Sequence, residues 1–181
     1  MAEPAASAGC NFDTGTAKVV AGKKIIMMVM PQDESTMLAV SGQTGLSFNV
    51  AQETTEVSPT KDTGGDWKQA ISGGRNWSGS IDGLMCFDDE GRKAIAKAIA
   101  NGTYLCIGVY EKVVSEADTK YVPVRKGLAL VDSDDFDAPV GDNVTYSTSF
   151  TGSGELWMRE LKTAEEITAA TISVTTEAAE G

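Results

Sequence analysis

The alternation of apolar and polar positions predicts β-strands over much of the chain. Residues 46–50 and 75–84 alternate with a period of two, which places the apolar side chains on one face of each strand. Residues 144–151 have the clearest alternation of this kind. The apolar run 24–30, ended by Pro31, predicts a strand that is buried on both of its faces or that becomes buried in an assembly.

One α-helix is predicted over residues 89–100. Asp88 or Asp89 provides a cap, because a carboxylate accepts hydrogen bonds from the unpaired N–H groups of a first turn. Asn101 and Gly102 tolerate the left-handed conformation that ends many helices. Side chains four positions apart share a helix face. The expected apolar stripe, packed on the outside of the sheet, is Ile95 and Ile99, and the expected solvent face holds Arg92, Lys93 and Lys97.

Three segments without a regular period are predicted as loops. The longest is 53–75, which holds two Gly pairs and, after Pro59, only two large apolar residues, Trp67 and Ile71. Loops of this length inside a compact domain are often functional. The other two are a polar hairpin loop at 111–119 and an acidic loop at 132–137.

The remaining pattern predicts two further strands and the domain limits. A strand over 121–131 has Pro123 near its start, which favours an edge position in the sheet. Gly152–Gly154 is expected to break the strand before it, and a last strand is expected at 169–175. The predicted organisation is an N-terminal arm at 1–22, a β domain at 23–160 and a C-terminal segment with a short strand at 161–181.

Composition supports a mainly β fold and narrows the function. The 181 residues suit one domain, and 18 Thr, 15 Val and 9 Ile outnumber 8 Leu, which favours strands. A net charge of −11 argues against wrapping nucleic acid. The absence of histidine excludes His-based triads and most catalytic zinc sites. No apolar window approaches 18 residues, so no membrane-spanning segment and no membrane partner are expected. The N-terminus lacks a signal-peptide layout, so secretion by that route is not expected.

Two patterns resemble ligand sites, and an ordinary structural interpretation is favoured for each. Asp132, Asp134 and Asp135 resemble the start of a calcium loop, but the central Gly and the late Glu are missing. A solvated acidic turn is therefore favoured. Residues 72–75 read Ser-Gly-Gly-Arg without the remaining P-loop residues, which predicts a turn.

The aromatic and thiol side chains can also be interpreted either as ligand-binding or as structural residues. Trp67 and Trp77 offer surfaces on which a base or sugar would stack, but core or interface packing is favoured, because clustered Lys and Arg are absent. Cys86 and Cys106 are interpreted as small core residues. No catalytic residue, metal or cofactor is predicted.

Four stretches, taken together, point to a known family. They are Gly-Gln-Thr-Gly-Leu-Ser at 42–47, Glu-Val-Ser-Pro-Thr-Lys-Asp-Thr-Gly-Gly-Asp-Trp at 56–67, Gly-Gly-Arg-Asn-Trp-Ser-Gly-Ser-Ile-Asp-Gly-Leu at 73–84 and Ala-Pro-Val-Gly-Asp-Asn-Val-Thr-Tyr-Ser-Thr-Ser-Phe-Thr-Gly-Ser-Gly at 138–154. In that order they resemble the major tail proteins, or tail tube proteins, of long-tailed bacteriophages. The resemblance covers roughly residues 22–156, and the predicted helix lies where that family places its single helix.

The resemblance implies a fold and a role. The fold would be a tail-tube-type β-sandwich or barrel with the helix 89–100 on its flank. Family subunits form six-membered rings that stack into a hollow tube, which the tape-measure protein fills and through which DNA then passes without specific binding. The other partners would be tail-tip and tail-terminator proteins. The protein would be structural rather than an enzyme, located in the phage tail of the virion and assembled in the host cytoplasm.

Two sets of residues become site candidates in such a tube. Segment 53–75 is expected to be a long hairpin-like loop that is mobile in the free subunit and becomes ordered when rings stack, and its candidates are Thr60, Lys61, Asp62, Gly64, Gly65, Trp67, Ile71 and Gly73. The alternative is that Trp67 packs in the core of its own subunit. The hydroxyl-rich strand faces are expected to line a neutral to electronegative lumen, and their candidates are Ser78, Ser80, Asp82, Ser147, Ser149 and Thr151. An ordinary solvent face is the alternative for the second set.

Two other functions remain open at this point. One is a tube subunit of a contractile tail or of a secretion or injection machine, which neighbouring sheath or effector genes would distinguish. The other is a carbohydrate-binding β-sandwich that uses Trp67 and Trp77. Glycan binding by a monomer would favour the second.

Overall fold

The computed structural model describes residues 20–57, 69–115 and 118–175, and within them the chain is mainly β with one main helix, as predicted. Eight antiparallel strands form one sheet in the order β2-β1-β5-β6-β7-β4-β3, and β8 pairs with β6 outside this path. The strands are β1 (Ile25–Pro31), β2 (Leu38–Ala39), β3 (Gln43–Val57), β4 (Gln69–Leu84), β5 (Leu105–Val114), β6 (Asp118–Asp137), β7 (Thr145–Met158) and β8 (Ile172–Thr175). The helices are α1 (Glu90–Asn101) and α2 (Ala164–Ala169), with 3₁₀ turns at Gly22–Lys24 and Arg159–Leu161.

The side chain of Gln43 joins the two ends of this sheet. Its Oε1 accepts a hydrogen bond from Met27 N at 2.8 Å, and its Nε2 donates to Met27 O at 2.7 Å and to Val40 O at 2.6 Å. The amide therefore satisfies the backbone of β1 as a neighbouring strand would. Because β1 and β3 stand near opposite ends of the strand order, this contact curls the sheet around its apolar face.

The enclosed face forms the hydrophobic core. Its buried members come from β1, β4, β5, β6 and β7 and from α1, and they include Val29, Ile81, Ile107 and Phe150. The apolar run of β1 has Met27, Met28 and Val29 buried in succession, which confirms the prediction of a strand covered on both faces. Removing each such side chain from water contributes roughly 1.5–3 kcal/mol.

Helix α1 forms where the sequence predicts it, but it presents a different face to the sheet. Asp89 caps the helix by accepting a hydrogen bond from Arg92 N, and Gly102 ends it with φ 64°. Ile95 is buried as expected, whereas Ile99 is 39% exposed and is not part of the core. Arg92, expected in solvent, is only 7% exposed. The buried stripe runs through positions 92, 95 and 98 instead, because Arg92 finds an acidic partner on the sheet.

The glycines at 152 and 154 do not end β7. Gly152 and Gly127 lie beneath the indole ring of Trp77, where a Cβ atom would come within 2.0 Å and 2.6 Å of ring atoms, respectively. Gly154 adopts φ 79° at an irregularity in the β6–β7 pairing, and its carbonyl accepts a hydrogen bond from Trp77 Nε1 at 3.2 Å. The predicted strand break is therefore wrong: within the continuous strand β7, Gly152 makes room for the aromatic ring and the carbonyl of Gly154 accepts its hydrogen bond.

Three predicted loop or edge features lie inside the sheet. Strand β5 extends to Val114 and β6 begins at Asp118, so most of the predicted loop 111–119 is paired strand. Residues 132–137 continue β6 and pair with β7 rather than forming an acidic loop. Pro123 lies in a central strand, not at an edge, and stands next to a register shift opposite Val109 and Tyr110, where a missing N–H is tolerated.

The two predicted terminal segments differ in what the structure describes. Residues 1–19 of the predicted arm lie outside the described residues. In the C-terminal segment, α2 precedes the last strand, and a capping box between Thr163 and Glu166 fixes its start. That helix was not predicted, and the last strand begins at Ile172 rather than at 169.

Candidate lumen face and hairpin arm

The six residues predicted to line a lumen lie together on one face of β4 and β7. They form three directly opposed cross-strand pairs, which are Ser78 with Thr151, Ser80 with Ser149 and Asp82 with Ser147. Opposed residues of antiparallel strands point to the same side of a sheet. The intervening residues Trp77, Ile81, Tyr146 and Phe150 are buried in the core, so the six lie on the opposite, wet side.

The same face continues onto β3 and β6, which hold none of the predicted lumen residues. Ser47 of β3 opposes Ser80, and Ser133 of β6 opposes Ser149, with the two hydroxyl oxygens 2.9 Å apart. Asp135 opposes Ser147. The β6 residues were missed because their segment was interpreted as a loop, although a strand partner with alternating hydroxyls, β7, was available to pair with it.

The charge of this face is neutral to negative. The strand segments 45–49, 78–82, 130–135 and 145–151 contain no Lys or Arg. The acidic residues on its wet side include Asp82 and Asp135, and Asp132 accepts a hydrogen bond from Thr151 at 2.7 Å. A surface of hydroxyls and carboxylates has nothing to hold a phosphate backbone. Leu128 and Leu130, 49% and 37% exposed, give β6 an apolar stretch beside it.

A buried ion pair supports the face from behind. Arg92 Nη1 lies 2.8 Å from Asp134 Oδ1, and Arg92 Nη2 donates to Asp134 Oδ2 at 3.0 Å. Arg92 Nη1 also donates to Thr148 Oγ1 at 2.8 Å, and Thr148 Oγ1 donates to Asp134 at 2.6 Å. The two side chains that flank this aspartate along β6, Ser133 and Asp135, point to the wet side. Helix α1 is thereby tied to the strands that form the face.

Tyr146 completes this support. The Arg92 guanidinium stands 4.2 Å from the centre of the Tyr146 ring, in the geometry of a cation–π contact. The Tyr146 hydroxyl donates a hydrogen bond to the carbonyl of Ser41 at 3.2 Å. Burial raises the pKa of Tyr146 to about 12, against the opposing effect of the nearby Arg92 charge. The tyrosine is therefore neutral at physiological pH.

In its described parts, the hairpin-like loop predicted at 53–75 is a two-stranded hairpin arm. Its described parts, 53–57 and 69–75, belong to β3 and β4, and the pairing extends to Val57 opposite Gln69. Of the eight predicted stacking residues, only Ile71 and Gly73 are described, and both lie in β4. Ile71 is 58% exposed. The other six, from Thr60 to Trp67, lie outside the described residues.

The patterns that resembled ligand sites have structural explanations where they are described. Asp134 is paired with Arg92, and no group of three metal-binding side chains is assembled in the described part of the chain. Trp77 is 4% exposed and stacks on Phe48 with ring centroids 5.4 Å apart. Cys86 is exposed rather than part of the core, while Cys106 is half-buried, and burial raises the pKa of its thiol.

Neither helix in the described ranges combines the length and the apolarity needed to cross a membrane.

The family of the chain is decided by comparing its sequence with models of known protein families. A family model described as "Phage tail tube protein" matches residues 19–157. The chain belongs to this family. It is a structural subunit of a tail tube and a component of the virion tail, which confirms the resemblance stated above.

Solved structures of tail tubes share the fold of this family member. The tail of an empty gene transfer agent particle, determined with C6 symmetry, is 16% identical with a TM-score of 0.63 and covers 77% of this chain and 98% of its own. The SPP1 tail tube is 21% identical with a TM-score of 0.63, covering 82% and 84%. A chain of the anti-feeding prophage baseplate is 9% identical with a TM-score of 0.56, covering 80% and 99%. No curated protein sequence matches significantly.

Proposed function

We propose that six copies of this chain close into a ring and that rings stack into a hollow tube through which DNA leaves the virion. The wet face of β4 and β7, with its extensions on β3 and β6, lines the lumen. The proposed role is structural, and it requires self-assembly rather than catalysis. The observation that carries it is the continuous hydroxyl-rich, cation-free face on a subunit of the tail tube family.

The sheet edges support assembly between copies. Among the described strands, β3 pairs only with β4, and β2 is two residues long, so both ends of the strand order present unpaired backbone groups. Such edges favour pairing with another chain. A head-to-tail contact between identical subunits closes into a ring when its rotation allows. The C6 symmetry of the gene transfer agent tail supports a ring of six.

The electrostatics of the face suit a conduit. DNA carries one negative charge per about 1.7 Å of helix axis, so a cationic wall would bind it and slow its passage. A wall with Asp82, Asp132 and Asp135 among hydroxyls repels phosphate weakly and forms hydrogen bonds chiefly with water. The lumen residues proposed are those predicted from the sequence, joined by Ser47, Ser133 and Asp135.

The hairpin arm is proposed to stack one ring on the next. It projects beyond the core as paired β3 and β4, with Ile71 exposed, and its connection contains Trp67. Large aromatic side chains dominate interface energetics, whereas an exposed pair such as Lys61 and Asp62 would set register more than affinity. Trp67→Ala is expected to leave the melting temperature of the monomer unchanged and to abolish tube formation.

The remaining partners follow from the same role. A tape-measure protein would fill the tube before ejection, and tail-tip and tail-terminator proteins would bind its two ends. Assembly would take place in the host cytoplasm. A second candidate is a tube subunit of a contractile injection particle, which the shared fold with the anti-feeding prophage chain favours. A carbohydrate-binding function loses support, because Trp77 is buried and offers no stacking surface.

Electron microscopy of the purified protein tests the proposal. At high concentration, or after addition of tail-tip complexes as seeds, the expected result is hollow tubes built from six-fold rings. Sedimentation that finds only monomers under all of these conditions would overturn it. Genes for sheath and baseplate proteins beside this one would select the contractile alternative.

A further inference from the structure

We propose that an apolar pocket at the base of the hairpin arm receives the Phe136 side chain of a second copy of this chain. The inference rests on the proposed tube assembly and identifies one contact within it. It gives a binding partner to the apolar pocket and to the exposed Phe136 side chain, which the roles proposed for the wet face and the hairpin arm do not explain.

The pocket has the size and lining to hold one aromatic ring. It encloses about 120 Å³, close to the engineered apolar cavities of about 150 Å³ that bind benzene. Buried Trp77 and Leu156 line it, together with Val50 and Leu161, which are 47% and 71% exposed. Apolar side chains exposed beside such a pocket are typical of a surface that is covered in an assembly.

Phe136 has the complementary properties at the other end of the sheet. It is 70% exposed near the end of β6, where it opposes Tyr146, which in turn opposes Gly83 of β4. Trp77 of the pocket lies six residues earlier on β4, about 20 Å away at the rise of a strand. A side chain cannot reach the pocket of its own subunit over this distance. The contact must therefore be between copies, and in the proposed tube it is head-to-tail, the type that builds rings or helical stacks.

Charge favours the same pairing. Phe136 is flanked by Asp135 and Asp137, and residues 130–147 contain five Asp and no Lys or Arg. Arg75 lines the pocket, is exposed, and has no ion pair among the described residues. Docking would bring Asp137, at the end of β6, towards the guanidinium, whereas Asp135 stays on the wet face. Because Glu155 also lines the pocket, we expect this attraction to orient the ring more than to add affinity.

Phe87 provides a matched control. It is 77% exposed and lies in the turn between β4 and α1. The end of β4 that precedes it lies at the same end of the strands as Phe136. Unlike Phe136, Phe87 is not flanked by acidic residues on both sides. Phe136→Ala is expected to raise the concentration needed for tube formation at least tenfold, while Phe87→Ala changes it less than threefold. Both variants should keep the melting temperature of the monomer.

Disulfide trapping tests the contact directly. Cys10, Cys86 and Cys106 are first replaced by Ala, and Phe136→Cys is combined with Leu161→Cys in that background. Because Phe136→Cys also removes the docking ring, oxidation is carried out on tubes assembled at a concentration at which Phe136→Ala assembles, and it is expected to give a ladder of covalent oligomers, because the two positions meet between copies. The control pair, Phe87→Cys with Leu161→Cys, should give at least tenfold less. Charge reversal adds a second readout, since Arg75→Glu should weaken assembly and Arg75→Glu with Asp137→Arg should restore it.

The outcomes separate this inference from the proposed function. Tubes that form normally with Phe136→Ala, or that give no ladder with the Phe136 and Leu161 cysteines, overturn the contact and leave the tube intact. Equal ladders from the control pair also overturn it, because the pocket would then not select Phe136. A wild-type protein that forms no tube or ring under any condition overturns both.

Discussion

Gly152 lies directly beneath the indole ring of Trp77. A Cβ atom on residue 152 would stand 2.0 Å from Trp77 Cε2 and 2.1 Å from Cδ2. The ring is held there by stacking on Phe48 and by the hydrogen bond from Nε1 to the carbonyl of Gly154. Glycine is required at 152 because the ring approaches the backbone of β7 closely, not because the backbone adopts an unusual conformation.

Gly152→Ala is therefore expected to destabilise the subunit. The added methyl group displaces a packed indole, and overpacking of this kind costs about 1–3 kcal/mol. Chemical denaturation of the monomer, followed by tryptophan fluorescence, measures the change. Gly22→Ala is the control, because a Cβ atom there meets nothing within 4 Å, and we expect a change within about 0.5 kcal/mol. Equal stability of the two variants would contradict the packing described.

Two isoleucines of α1 should respond differently to truncation. Ile95 is 1% exposed inside the core, so Ile95→Ala should cost about 2–5 kcal/mol through lost burial and the cavity that remains. Ile99 is 39% exposed, so Ile99→Ala should cost less than about 1 kcal/mol. Both are Ile→Ala changes in one helix, so the comparison cancels the effect of helix propensity. A larger cost at 99 than at 95 would mean that the helix is rotated.

Breaking the ion pair behind the wet face should be costly. The Arg92 and Asp134 side chains are 8% and 15% exposed, so Arg92→Met leaves a carboxylate nearly buried without its partner. We expect a loss of about 3–5 kcal/mol in the free energy of unfolding. Arg92→Met with Asp134→Asn should recover part of that loss, since the uncompensated charge is then gone. A double-mutant cycle measures the coupling, and strict additivity of the two changes would exclude it.

The pKa of Tyr146 predicts alkaline destabilisation. Burial raises it to about 12 in the folded subunit, against an ordinary value of 10.0, and the same holds for Tyr110. A group whose pKa is raised on folding gives its full contribution to stability below its unfolded pKa and loses it as pH rises towards the folded value. Stability should thus fall between pH 10 and pH 12, by about 1.4 kcal/mol per pH unit for each tyrosine. Denaturation at several pH values should find a smaller slope for Tyr146→Phe.

Apart from the doubly buried β1, which its apolar run indicates, the strands predicted best were those in which one face alone is buried. Residues 75–84 and 144–151 alternate because their apolar side chains fill the core and their hydroxyls face water, and this pattern is local. The hairpin-like character of 53–75 was predicted from composition, but the length of its paired strands was not, since both faces of the arm are exposed and no local alternation marks it. Residues 132–137 were misinterpreted because Asp134 points inward, which is possible only with Arg92, 42 positions away, as its partner.

The candidate site residues likewise divide into those that local alternation predicts and those that only strand pairing reveals. The six wet-face residues could be predicted, because the same alternation that placed their neighbours in the core placed them on the other side. Ser47, Ser133 and Asp135 joined them only through pairing between strands distant in sequence, which no local period reveals. The prediction of the buried stripe on α1 was wrong for a related reason. Spacing alone does not distinguish Ile95 from Ile99, and the ion pair of Arg92 with Asp134 orients the helix so that Ile99 faces outward.

A cationic substitution on the wet face should slow DNA passage without harming the fold. Asp82 is exposed, and it opposes Ser147 on β7, so Asp82→Lys changes the charge by two per subunit without entering the core. Particles that carry this variant should assemble and hold DNA, but should release it more slowly, because each added cation binds phosphate and releases counterions. Raising the salt concentration should restore the rate, since that binding weakens with salt. Asp82→Asn, which removes charge without adding a cation, should eject at close to the wild-type rate. Release at the wild-type rate from the Asp82→Lys particles at low salt would mean that this face does not line the lumen.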